Sequence, residues 1–160
     1  MIHINQTSND MPIHITSSTK STKVQPKTKD ELRTLIEQEL ERQGPDADLN
    51  FIDTSLITDM SALFGGFNRL HIKFYIRNIK IDQWDVNNVT NMANMFNLCT
   101  HFNCDLSRWD VSNVNDMDYM FSHCYEFRCD LSSWKPNLRK LNSTVFGSCT
   151  LMTDELKPQI

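Results

Sequence analysis

Two cysteine pairs, Cys99/Cys104 and Cys124/Cys129, are the first residues of this chain whose type and spacing suggest chemistry. C-x4-C lies at the edge of zinc-ligand spacing, and zinc needs thiolates that converge on one point. The pairs, however, are themselves 25 residues apart, and Cys149 lies a further 25 beyond Cys124. Residues that recur at a fixed period stand one above another along a stack, so Cys99, Cys124 and Cys149 read as a column of buried thiols acting as small hydrophobes. Cys104 and Cys129 precede Asp105 and Asp130 in a loop and read as more exposed. Neighbouring coils would sit near the low end of disulfide spacing, but reduced thiols are the expectation. The five histidines are scattered without ligand spacing, and no nucleophile motif, phosphate loop or carboxylate pair occurs. Neither a metal nor a cofactor is expected, and the chain reads as a non-enzyme.

Two surface patterns remain. Leu70, Ile72, Phe74 and Ile76 alternate with Arg69, His71, Lys73, Tyr75 and Arg77, which is the period of a half-buried strand. Its outer face would hold cations about 6.5–7 Å apart, suited to an anion, an acidic partner or a phosphate backbone. One strand is a small footprint for nucleic acid, so nucleic acid is not the expected partner. In the second pattern Gln83, Asp85 and Asn87 alternate with Trp84 and Val86, and Arg108, Asp110 and Ser112 alternate with Trp109 and Val111. With Trp and Val pointing inward, these six form an exposed strand face able to bind another protein.

The element that must position these residues is a repeat. Residues 84–108 and 109–133 share the pattern W-D-V-x-N-V…M-x-x-M-F-x-x-C…F-x-x-D-L-S, with a period of 25 and no gap. Such self-similarity signals units that can bury their apolar side only against one another. Trp84, Trp109 and Trp134 should form one column, and Phe96, Phe121 and Phe146 a second. The Trp-x-Val pair reads as a short strand. From Val114 to Phe127 apolar residues recur mostly every third position, which suggests a tight helical return. The expected fold is an α/β solenoid, a leucine-rich-repeat-like right-handed coil of about four short parallel strands with an N-terminal amphipathic capping helix.

The remaining segments are tail, cap and worn repeats. Residues 1–27, rich in Ser, Thr, Lys and Asn, read as a flexible tail or a leaderless secretion signal. Over 28–45, Thr28 and Glu31 have capping-box spacing. Leu32, Leu35, Ile36 and Leu40 share a helical face, and Gly44-Pro45 stops the helix. Residues 46–83 are a degenerate first repeat: Asp53, Ile57, Thr58, Met60 and Phe64 match residues 32 positions later, so seven extra residues lie between Phe64 and Trp84. Residues 134–160 are a degenerate last repeat and C-terminal cap, with Lys135-Pro136 in place of Asp-Val.

The repeat phrase over 84–134 resembles the BspA-like leucine-rich-repeat family of bacterial surface proteins, whose repeats carry the same W-D-V-S-N-V and M-F-x-x-C. The resemblance implies a repeat solenoid acting in adhesion or protein binding. A net charge of −4 gives no overall reason for an anionic partner. The N-terminus lacks a signal-peptide pattern, and no apolar run reaches 18 residues. The expectation is a protein without a membrane span, cytoplasmic or exported without a cleaved leader, that binds another protein through the strand face. The alternative is anion or nucleic-acid binding through the basic stripe at 69–77.

Overall fold

The computed structural model describes residues 23–65, 76–137 and 142–159. Its core is a stack of side-chain columns in which each repeat lays its rings on those of the next. Trp84 lies 6.5 Å from Trp109, and Trp109 lies 6.4 Å from Trp134, with planes 4° and 5° apart. Phe64, Phe96, Phe121 and Phe146 stack at 5.2, 5.5 and 5.5 Å. Phe102 and Phe127 form a shorter parallel column at 5.5 Å. Offset ring stacking of this kind adds to plain area burial. Each indole N–H also donates to a carbonyl of the preceding unit: Trp84 to Leu49 at 3.0 Å, Trp109 to Ile81 at 3.1 Å and Trp134 to Leu106 at 3.0 Å. The first of these bonds spans 35 residues and the others 28, which registers the seven extra residues of the first unit.

The expected α/β solenoid of parallel strands is not what the chain forms. The described residues contain one α-helix, one 3₁₀ turn at Asp154–Leu156 and four isolated parallel bridges, with no strand and no sheet. The reason is where the backbone donors go. Around the Trp-x-Val segment, Trp84 N–H bonds Ile81 O, Val89 N–H bonds Val86 O, and Asn87 N–H is taken by Asp85 Oδ1. Every one of these bonds is local, so no ladder to a neighbouring unit can start there.

The expected helical return is likewise a series of turns. Met95, Asn97, Cys99 and Phe102 each bond the carbonyl three residues back, and the next unit repeats this at Met120, Ser122, Cys124 and Phe127. Asn94, Leu98, Tyr119 and His123 have φ between 57° and 65°, which interrupts any continuous helix. Bonds between units arise within these turns instead: Phe96 N–H reaches Met120 O and Leu98 N–H reaches Ser122 O, at 2.9 and 2.8 Å. Gly65 lies against the next unit with no room for a side chain, since a Cβ there would meet Asn94 O and the backbone of Asn97.

The helix α1, Lys29–Gln43, forms because its two ends are satisfied and one face is apolar. Thr28 accepts from Glu31 N–H at 3.2 Å, while Glu31 reaches back to Lys27 N–H at 2.7 Å, one residue earlier than in a standard capping box. At the other end Gly44 (φ 83°) bonds Leu40 O. Leu32, Ile36 and Leu40 are buried in the same core as the repeat columns. Lys29 Nζ meets Asp59 Oδ2 at 2.7 Å, Ser61 Oγ at 2.8 Å and Ser61 O at 3.3 Å, and Arg33 bonds Ala62 O at 3.2 Å. The helix thereby closes the N-terminal end of the stack, and Val24 adds a parallel bridge to Ile52 beside it.

Candidate functional site

One short motif fixes the polar surface, an aspartate two residues before a small polar residue. Asp53, Asp105, Asp110 and Asp130 each accept, through Oδ1, the backbone N–H of Ser55, Ser107, Ser112 and Ser132, at 2.9–3.1 Å. Asp85 does the same with Asn87 at 3.0 Å. The serine hydroxyl, and after it the serine N–H, holds the carboxyls of Asp53, Asp105, Asp110 and Asp130 below their ordinary value. These are Asx turns, which let a charged side chain pin the backbone while the carboxylate stays at the surface.

All six residues of the expected binding face are exposed: Gln83, Asp85, Asn87, Arg108, Asp110 and Ser112. Trp84, Val86, Trp109 and Val111 between them are at most 4% exposed, so the alternation of burial holds although no strand is present. Beneath the two rows Trp84 and Trp109 stack with ring centroids 6.5 Å apart. The rows are also tied together, since Asn113 donates its side-chain amide to Asn87 O at 2.7 Å. In the preceding unit Asn88 does the same to Ser55 O at 2.8 Å. The equivalent row of the first unit is covered, because Gln25 bonds Asp53 Oδ2 and Ser55 Oγ at 3.0 and 3.1 Å. The result is a fixed surface with two carboxylates, one guanidinium and several amide and hydroxyl groups, suited to a polar partner surface.

Of the basic stripe, Arg69, His71, Lys73 and Tyr75 lie outside the described residues, while Arg77 is exposed and Ile76 buried. A hydrogen-bonded pair that spacing alone did not single out sits near Arg77. His101 Nδ1 and Glu126 Oε1 are 2.6 Å apart across one repeat, and this bond holds the Glu126 carboxyl below its ordinary value.

The thiols have the character of core groups. Cys99, Cys124 and Cys149 direct Sγ at Phe64 O, Phe96 O and Phe121 O of the preceding units, and Cys104 donates to Ile79 O at 2.8 Å. Cys104, expected to be more exposed, is buried, whereas Cys129 is half-exposed. Burial pushes the Cys104 thiol up to about 12 and the Cys129 and Cys149 thiols up to about 11, and it raises Cys124 as well. Thiols raised in this way are protonated at neutral pH and are poor nucleophiles. Among the described residues no group of three or more His, Cys, Asp or Glu side chains could hold a metal ion. A cleft of ≈ 220 Å³ is lined by Asn78, Lys80, Asp82, Asn103, Cys104 and Asp105. Among the described residues no helix is long and apolar enough to cross a membrane.

No curated protein and no solved structure matches the chain. A family match spans residues 36–158, from the middle of α1 through the last unit. The chain therefore belongs to the family described as Mycoplasma protein of unknown function, DUF285.

Proposed function

We propose that this protein is a non-enzymatic interaction module that binds another protein through the face carrying Gln83, Asp85, Asn87, Arg108, Asp110 and Ser112. The observation that carries this reading is the exposure of all six on two successive rows whose backbone is pinned by Asx turns and tied by Asn113. A surface held in this way loses little conformational freedom on binding, which favours affinity for a given contact area. The raised thiols argue against cysteine nucleophilic chemistry. The resemblance of 84–134 to BspA-like surface repeats points toward adhesion as the biological setting.

Photo-cross-linking in the source cell tests the reading. A cross-linker at Ser112 should capture one protein reproducibly, and the same group at Asp154 in the C-terminal 3₁₀ turn should not. Arg108→Glu should remove the Ser112 product. Equal capture from both positions, no capture at all, or a product insensitive to Arg108→Glu would overturn the proposal.

A further inference from the structure

The first unit shows how this surface receives a donor. Gln25 precedes the repeats and follows Val24, whose parallel bridge to Ile52 sets the two beside the first row. Gln25 Nε2 donates to Asp53 Oδ2 at 3.0 Å and to Ser55 Oγ at 3.1 Å, which uses both hydrogens of its amide nitrogen. The turn itself builds this acceptor pair. Asp53 Oδ1 is taken by Ser55 N–H at 3.1 Å, so Oδ2 is the oxygen left for Gln25. The Ser55 hydroxyl holds the Asp53 carboxyl low by giving it a proton to share, which leaves Oγ free to accept.

Two units on, Asp110 and Ser112 occupy the places of Asp53 and Ser55, and the pair recurs without its donor. Asp110 Oδ1 takes Ser112 N–H at 3.0 Å, and the Ser112 hydroxyl holds the Asp110 carboxyl low in the same way. No third residue among the described ones donates to Asp110 Oδ2 or Ser112 Oγ. Both residues are exposed, whereas Ser107 and Ser132 of the other aspartate–serine turns are half-buried. In the unit between, Asn87 stands in the serine's place.

Two acceptors side by side select an NH₂ group. Asp110 repels a carboxylate or phosphate, and the exposed guanidinium of Arg108, two residues earlier on the same face, opposes a second cation. A neutral primary carboxamide meets both conditions, and Gln25 already demonstrates the fit. We propose that Asp110 and Ser112 form a carboxamide subsite that takes a glutamine or asparagine side chain of the partner polypeptide, bridged as Gln25 is. The inference rests on the binding face proposed above and names the chemistry which that face recognises. One of the two bonds is to an ionised carboxylate, the stronger kind, so this contact gives the face its selectivity.

The test uses the full chain, reduced, as the target of a phage-displayed library of short random peptides, after removal of those that bind the Ser112→Ala chain. The selected peptides should share a Gln or Asn at one position, and a synthetic copy should shift the Ser112 amide of the ¹⁵N-labelled chain saturably. Replacing that Gln or Asn by Glu or Asp leaves the protein untouched and should weaken binding about tenfold or more. Ser112→Ala should do the same, while Ser112→Thr, which keeps a hydroxyl, should retain binding. Failure to select any peptide would overturn the proposal. So would selected peptides that carry Lys or Arg and no shared carboxamide, or indifference to the Glu or Asp replacement. Ser112 shifts that grow with protein concentration and without peptide would overturn it in favour of a second copy. The binding face fails separately, when a cross-linker at Ser112, whose covalent capture tolerates a tenfold weaker complex, traps no protein in the cell.

Discussion

Trp109 carries two of the contacts that join one repeat to the next, a ring stacked at 6.5 and 6.4 Å on its neighbours and an N–H given to Ile81 O. Trp109→Phe keeps most of the stacking and removes one of the two bonds that Ile81 O accepts, leaving the one from Trp84 N–H. A loss of about 0.5–1.5 kcal/mol is expected, measured by urea unfolding, and an unchanged midpoint would show that the indole bond between units adds nothing to stability. Tyr119 illustrates the opposite case. It is exposed at φ 57°, and the same place in the preceding unit is held by Asn94 at φ 59°. Asparagine tolerates the left-handed region better than tyrosine, so Tyr119→Asn should raise stability by about 0.5–1 kcal/mol. A destabilised variant would show that the tyrosine ring makes a packing contribution that outweighs its backbone strain.

At the scale of elements, α1 depends on the first unit as much as that unit depends on α1. Asp59 is pushed up by burial, but the bonds from Lys29 and Ser61 outweigh this and leave its carboxyl below the ordinary value. Lys29→Met removes the cation and three hydrogen bonds. Thermal unfolding should register a loss of about 1–2 kcal/mol, and the Asp59 carboxyl should titrate at higher pH in the variant. An Asp59 titration that does not move would contradict the assigned role of Lys29.

How far the sequence reveals such elements depends on which atoms form them. The helix is legible because Thr28, Glu31 and the Leu32/Ile36/Leu40 face are side-chain signals. The ring columns are legible because identical residues at one period must stack. The turn backbone is not, because Trp-x-Val alternation reports which side chains are buried and not where the N–H groups bond. Leu98 and Tyr119 take the left-handed region without being glycine, so nothing in their identity announces it. The six exposed residues of the proposed binding face follow from the alternation alone, whereas the His101–Glu126 pair needs the packed coordinates to be seen.

For the molecule as a whole, the aspartate turns predict acid sensitivity. Asp53, Asp105, Asp110 and Asp130 all have folded values below those of a free carboxyl, near 3.9. The folded state therefore binds fewer protons than the unfolded one in this range. Their stabilisation is fully present above the unfolded value and is lost as pH falls through the folded values. The urea midpoint should hold at about pH 5 and decline below about pH 4, and a midpoint that rises below pH 4 would contradict the turns' contribution.

The central claim is that these turns hold a binding face in place while the columns beneath hold the fold, so the two should be separable. The variant carrying Asp85→Asn, Arg108→Gln and Asp110→Asn keeps an Oδ1 acceptor for each turn and removes three charges from the face. Its affinity for the protein cross-linked at Ser112, measured by calorimetry beside its melting temperature, is the most direct measurement. Affinity should fall about tenfold or more with the melting temperature nearly unchanged. Unchanged affinity, or a loss of affinity that only follows unfolding, would contradict the account.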